Sequence, residues 1–208
     1  MKINKILLII LICIFAISIG FAIAYFTERT QELSNNITVG DVNTTLTEPN
    51  WKPDDGKNIE PDKNIPKDPK IRNTGSNPCY VYLQITVPKS EVRLVIDEEM
   101  LSSKQNTELF TYSVNSDWEE ISTNTSNSNY NVHIYAYTKE VLSSNEETSS
   151  IFNSIKLKNV LEGELDSKKE YIVNVRSYAI QSDKLRIDGV TTKDKMTYAY
   201  NNYIKEAS

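Results

Sequence analysis

The sequence predicts an all-β fold, mainly antiparallel: a jelly-roll-like β-sandwich with short helical insertions and a C-terminal helix. Three observations lead there. In the stretch 79–88, CYVYLQITVP, the residues Cys79, Val81, Leu83, Ile85 and Val87 share one face and Tyr80, Tyr82, Gln84 and Thr86 the other, which is the period of two that a pleated strand requires. Several further short stretches repeat that alternation without regular helices between them, favouring an antiparallel sandwich over a parallel α/β sheet. Only the C-terminal stretch carries a helical period behind a start signal.

At the N-terminus, MKINK places Lys2 and Lys5 ahead of an apolar and small-residue run over 6–24 that closes on Ala22-Ile23-Ala24. That is the pattern of a secretory signal peptide over 1–24, with Ala22 and Ala24 as the small residues of an A-x-A cleavage site and Tyr25 as the mature N-terminus. The run is also just long enough to cross a bilayer, so an uncleaved anchor is the alternative; both readings place the remainder outside the cell. Cys13 follows Leu11 and Ile12 rather than small residues, which argues against lipid attachment. Residues 25–208 suffice for a single domain with a sizeable core. Loss of Lys2 and Lys5 makes the formal net charge of −5 two units more negative, so neither nucleic acid nor an anionic membrane surface is an expected partner. Cys79 is then the one cysteine left, which excludes an intramolecular disulfide; facing inward on its strand, it reads as a small buried hydrophobe.

Along the mature chain, 37–46, ITVGDVNTTL, alternates, but its apolar parity slips from Ile37 and Val39 to Val42 and Leu46, which a bulge at Gly40 would produce. All seven prolines lie between Pro49 and Pro88, and 48–69 is polar, charged and proline-rich, an extended connection rather than a helix. Asn73, Gly75 and Pro78 make a turn into the strand beginning at Cys79, with a positive φ expected at Gly75, and Pro88, which cannot donate to a ladder, is expected to close that strand. Half-buried strands are expected at TELFTYSV (Phe110, Tyr112 and Val114 inward), NVHIYAYT (Val132, Ile134 and Ala136 inward), SIKLKNV (Ile155 and Leu157) and EYIVNVRSYAI (Val173, Val175 and Ala179). Residues 122–129, STNTSNSN, read as a low-complexity polar loop, and short helices are expected within 89–103 and 139–153. At the C-terminus, Thr191 and Asp194 form a capping-box pattern ahead of a helix with Met196, Tyr200, Tyr203 and Ile204 on one face.

Residue chemistry argues against a hydrolytic centre, and catalytic, cofactor and metal sites are expected to be none. The chain has one histidine, His133, and no His-Glu-x-x-His pattern, Gly-x-Ser-x-Gly elbow or phosphate-cradling glycine loop. Opposite Val132, Ile134 and Ala136 on its strand, His133 is expected to face solvent or lie at an edge. Asp54, Asp55, Asp62 and Asp68 cluster in the proline-rich connection at spacings that match no calcium loop, so a solvated charged loop is expected.

Residues 24–51, AYFTERTQELSNNITVGDVNTTLTEPNW, followed by IPKDP, IRNTG and PCYVYLQITVP, together resemble the TasA/camelysin (CalY) family of secreted Gram-positive matrix proteins. The junction AIA followed by YFTE is similar to the signals processed by the SipW-type signal peptidase. The resemblance is strong over 1–88, weak at Tyr178 to Gln181 and the C-terminal helix, and absent in between; Glu60-Pro61-Asp62 stands where the family often places a Pro-Gly turn. It implies a secreted structural protein of the cell surface or extracellular matrix, built on a jelly-roll domain. Its subunits would polymerise head to tail into biofilm-matrix fibres by strand donation, with other matrix proteins as further partners. On that reading the 25–36 segment is the donor strand, anchored by Tyr25, Phe26 and Leu33. Lys67, Asp68 and Pro69 end the connection, Asn73, Thr74 and Gly75 make the turn, and Tyr80 and Val81 start a core strand. The alternatives are a camelysin-like cell-surface metallopeptidase, which a chain with one histidine supports poorly, and a monomeric surface adhesin whose loops bind a ligand.

Overall fold

The computed structural model describes residues 42–57, 59–97, 100–182 and 190–205. The chain divides into two units, Met1–Asn35 and Asn36–Ser208, and every described residue lies in the second. The expectations for the signal peptide, for Tyr25, Phe26 and Leu33, and for the bulge at Gly40 fall outside the described residues.

The described unit is a mainly β, sandwich-like fold in which the pairings are antiparallel. Its strands are β1 (Thr44–Thr47), β2 (Asn64–Pro66), β3 (Lys70–Asn73), β4 (Cys79–Val92), β5 (Gln105–Glu108), β6 (Phe110–Tyr112), β7 (Trp118–Asn124), β8 (Tyr130–Tyr137), β9 (Ser154–Leu157) and β10 (Asn174–Gln181), followed by helix α1 (Thr192–Ala199). The larger sheet runs β10-β4-β8-β7, with β5 paired to the far end of β4; a second runs β2-β9-β6; β1 and β3 form a separate pair. Alternation places Cys79, Val81, Leu83, Ile85 and Val87 of β4 in one core with Ile65, Phe110, Ile155 and Leu157 of the second sheet and Ile71 of β3.

The opposite face of β4 carries a second core. Tyr80 and Tyr82 pack with Ile134 and Ala136 of β8, with Tyr178 and Ile180 of β10, and with Met196, Ala199, Tyr200 and Ile204 of the C-terminal helix. Tyr82, which alternation places on the face opposite Cys79 and Leu83, is completely buried, and its hydroxyl donates to the Met196 carbonyl at 2.9 Å. Further along the same face, Gln84 and Thr86 are only half-buried. The sheet is therefore covered on both faces over the length that the helix spans, and β4 there reads as a near-continuous apolar run.

Several local expectations are corrected. Pro88 does not end β4, which continues to Val92. At Pro88 the strand changes partner: Cys79-side residues pair with β8 as far as Tyr130, and Lys89 to Val92 pair with β5. A missing N–H is tolerated at this handover, where the Pro88 carbonyl accepts from Leu109 N–H at 2.9 Å and Lys89 N–H donates to Asn129 at 2.7 Å. The strand expected over 107–114 is split at Leu109 between β5 and β6, which belong to different sheets, and Val114 is exposed. The polar stretch 122–129 is not all loop, because β7 runs to Asn124 with a register irregularity between Glu120 and Ser122.

Neither 89–103 nor 139–153 is helical in its described residues. In 139–153 the backbone pairs across the chain instead of along it. Leu142 exchanges hydrogen bonds with Cys79, Asn145 N–H donates to Asn73, Thr148 N–H to Ile71 and Ile151 N–H to Pro69. At the C-terminus the capping box forms as expected, Thr191 Oγ1 accepting from Asp194 N–H at 3.1 Å. However, α1 continues into a π-helical turn, Tyr200–Ile204, whose extra residue per turn rotates Tyr203 into solvent while Ile204 stays buried.

Candidate functional site

The motif residues of the 67–81 region sit at the two ends of β3 and the start of β4, and each is used inside the fold. Lys67 is buried: its N–H donates to Asn153, and its ammonium binds Glu48 at 2.7 Å while lying 4.9 Å from the centre of the Trp51 ring. Asp68 is not the solvated residue expected from its acidic neighbourhood. It is 2% exposed and accepts from Asn50 through both oxygens, from the N–H at 2.9 Å and the side-chain amide at 2.8 Å. Pro69 is buried, with its carbonyl taken by Ile151 N–H. Together these residues fold the proline-rich lead-in back onto its own 48–51 segment. Within that lead-in, Asp62 takes φ 59, the left-handed conformation that the glycine of a Pro-Gly turn adopts readily.

At the other end of β3, Asn73 is fully buried and satisfied on every side. Its side-chain N–H groups donate to the carbonyls of Asn77 at 2.9 Å and Leu142 at 3.0 Å, and its oxygen accepts from Gly75 N–H at 2.9 Å. Thr74 and Gly75 N–H groups both donate to Asn43, tying the turn to the segment that enters β1. Positive φ angles among the described residues belong to Asp62, Asn145 and Gly163, and Gly75 is not one of them. The turn is set by the Asn73 side chain, an Asx-type arrangement, rather than by left-handed glycine. Tyr80 and Val81 then point apart, Tyr80 toward the helix and Val81 into the sandwich core. The motif residues do not converge on a common point.

Cys79 faces inward as expected, and desolvation pushes its thiol up to about 12, so it is neither ionised nor accessible as a nucleophile near neutrality. The four aspartates of the connection also have separate roles: Asp54 pairs with Lys57 at 2.7 Å, Asp55 accepts from Lys52 N–H, Asp62 makes the left-handed turn, and Asp68 holds Asn50. Among the described residues no group of three or more His, Cys, Asp or Glu side chains is placed to hold a metal ion.

At His133 the expectation of a solvent-facing or edge position is corrected, because both faces of β8 are covered. Val132, Ile134 and Ala136 do alternate with it, but they face the C-terminal helix, while His133 shares the sandwich-facing side of β8 with Tyr135 and Tyr137. Its Nε2 lies 2.7 Å from Glu108 Oε1 and its Nδ1 2.7 Å from Glu120 Oε1. Asn131 donates to the same Glu108 oxygen at 2.6 Å, and the Tyr112 and Tyr135 hydroxyls meet at 3.3 Å nearby. The hydrogen bond to Glu108, then that to Glu120, raises the His133 pKa against the opposing effect of burial; the same bond lowers that of Glu108. The sequence carried no signal for this meeting: Glu120 lies on β7, which pairs with β8, but Glu108 lies on β5, which pairs with β4, and only the tertiary structure brings it to His133.

On the outward face of the second sheet, Asn64, Lys156 and Thr111 stand in cross-strand register. With Ser113 and Ser154 they line an open polar groove of 440 Å³. The fold defines the chain as an antiparallel sandwich with a helix-covered outer face. Compared with family models, with curated proteins and with solved structures, it gives no match.

Proposed function

We propose that this chain is a secreted structural protein whose mature form polymerises into extracellular fibres, one subunit donating its N-terminal segment to a sheet edge of the next. The observation that carries this reading is the use made of Lys67, Asp68, Asn73, Tyr80 and Val81, the residues through which the chain resembles secreted fibre proteins. All are buried in architectural contacts, and none contributes to a reactive constellation. The sheet orders support it too: they end on edge strands such as β6 and β7, and an edge strand is a template for an added strand. A head-to-tail contact of this kind does not close, so its repetition gives a filament. Self, a SipW-type signal peptidase and other matrix proteins are the partners of this reading.

Electron microscopy of protein beginning at Tyr25, beside protein lacking 25–33, tests it. Fibres from the first and folded, soluble monomer from the second are expected. Equal polymerisation of both would rule out donation by this segment. Monomers under all solution conditions would favour a surface-binding module, a reading to which the polar groove over β2, β9 and β6 lends support.

A further inference from the structure

The Glu108–His133–Glu120 bridge plays no part in that reading, and its geometry makes a demand of its own. A neutral imidazole has one N–H and one lone pair, whereas His133 meets a carboxylate oxygen at 2.7 Å on each ring nitrogen. Both contacts are attractive only for the doubly protonated ring. Three segments are tied through it: Glu108 closes β5 at the crossing to β6, His133 lies within β8, and Glu120 lies on β7 beside the register irregularity. Because β7 ends the larger sheet, β8 is its ladder partner on one side and the bridge is an added tie.

We propose that this bridge is a proton-operated latch on edge strand β7, closed while His133 is an imidazolium and released at Glu120 when the ring gives a proton to solvent. The two arms are unequal. The Glu108 side chain is 22% exposed and has a second donor in Asn131, whereas Glu120 is 41% exposed, with the Thr123 hydroxyl as its other partner. The remaining proton therefore stays on Nε2 toward Glu108. Nδ1 then turns a lone pair toward the Glu120 carboxylate, and that arm opens.

The groups facing the ring and its partners from every packed element are consistent with this order. Tyr112 from β6 and Tyr135 from β8 have hydroxyl pKa values raised by burial and stay neutral. Lys158, just beyond β9, helps to hold Glu108 ionised. A folded pKa raised above the unfolded one gives a contribution complete below the ordinary histidine range and lost as pH rises through the folded value. The latch thus holds in mildly acidic solution and releases on the alkaline side.

Hydrogen exchange of the full mature protein from about pH 5 to about pH 9, corrected for intrinsic exchange, reads it directly. Protection of 118–124 amides should fall by about tenfold for each unit by which the Glu120 contact raises the His133 pKa, while that of 79–85 in β4 stays constant. In Glu120→Gln the side-chain amide can donate to the Nδ1 lone pair, so β7 protection should become independent of pH and the ring titration, followed by NMR, should move down. A wild-type β7 whose protection does not vary with pH, a loss shared equally by β4, or an unchanged pH dependence in Glu120→Gln would each overturn the latch.

Discussion

Asn73 shows how much one side chain can settle in this fold. It sits at zero exposure and supplies three hydrogen bonds to a turn and to a distant loop. Truncation would remove all three bonds at a buried site; the Asn77 carbonyl loses this donor, while the Leu142 carbonyl keeps Cys79 N–H and the Gly75 amide keeps Asn43. Asn73→Ala should therefore lower stability by about 2 to 4 kcal/mol in urea unfolding, with the denaturant slope unchanged. A loss below about 0.5 kcal/mol would mean that water replaces the side chain. The residue type was legible in the sequence as a turn former, but its partner Leu142 lies 69 positions away. Likewise, Lys67 and Asp68 read as polar connection residues until Glu48, Trp51 and Asn50 are seen folded over them.

The C-terminal helix is the element whose place the sequence left open. Its cap and apolar positions were readable, because Thr191 and Asp194 interact locally and helical periodicity is local. What it covers is not local: Tyr80, Tyr82, Ile134 and Ala136 come from two strands distant in sequence. Met196 is completely buried in that layer, so Met196→Ala should cost about 2 to 4 kcal/mol, and removing 191–208 should expose the tyrosine face of β4. Thermal unfolding of the first and dye binding by the second measure these; a truncated protein that binds no more dye than the full chain would show the outer face is not a core. The expected helices at 89–103 and 139–153 failed for the complementary reason, since backbone pairing to β3, β4 and β5 outweighs weak intrinsic helical preference.

On the scale of the whole molecule, Cys79 reports on opening of the sandwich. It lies in the core between the sheets with no exposed surface, and at about pH 8 a thiol raised to about 12 is ionised on the order of one part in ten thousand. Native protein should label with a thiol reagent only as fast as it unfolds, and denatured protein at the rate of an ordinary thiol. Rapid labelling of the folded state would mean that the β4 edge of the core opens locally. By itself the sequence determined the all-β class, the inward row of β4, the turn residues before it and the capped terminal helix. Each depends on side-chain period or on contacts a few residues apart. Only the tertiary structure decided that both faces of β8 are interior, that β4 passes through Pro88 by exchanging partners, and that Glu108, His133 and Glu120 meet. Alternation identifies two faces of a strand but is symmetric between them; what lies against each face is set by segments far away in the chain.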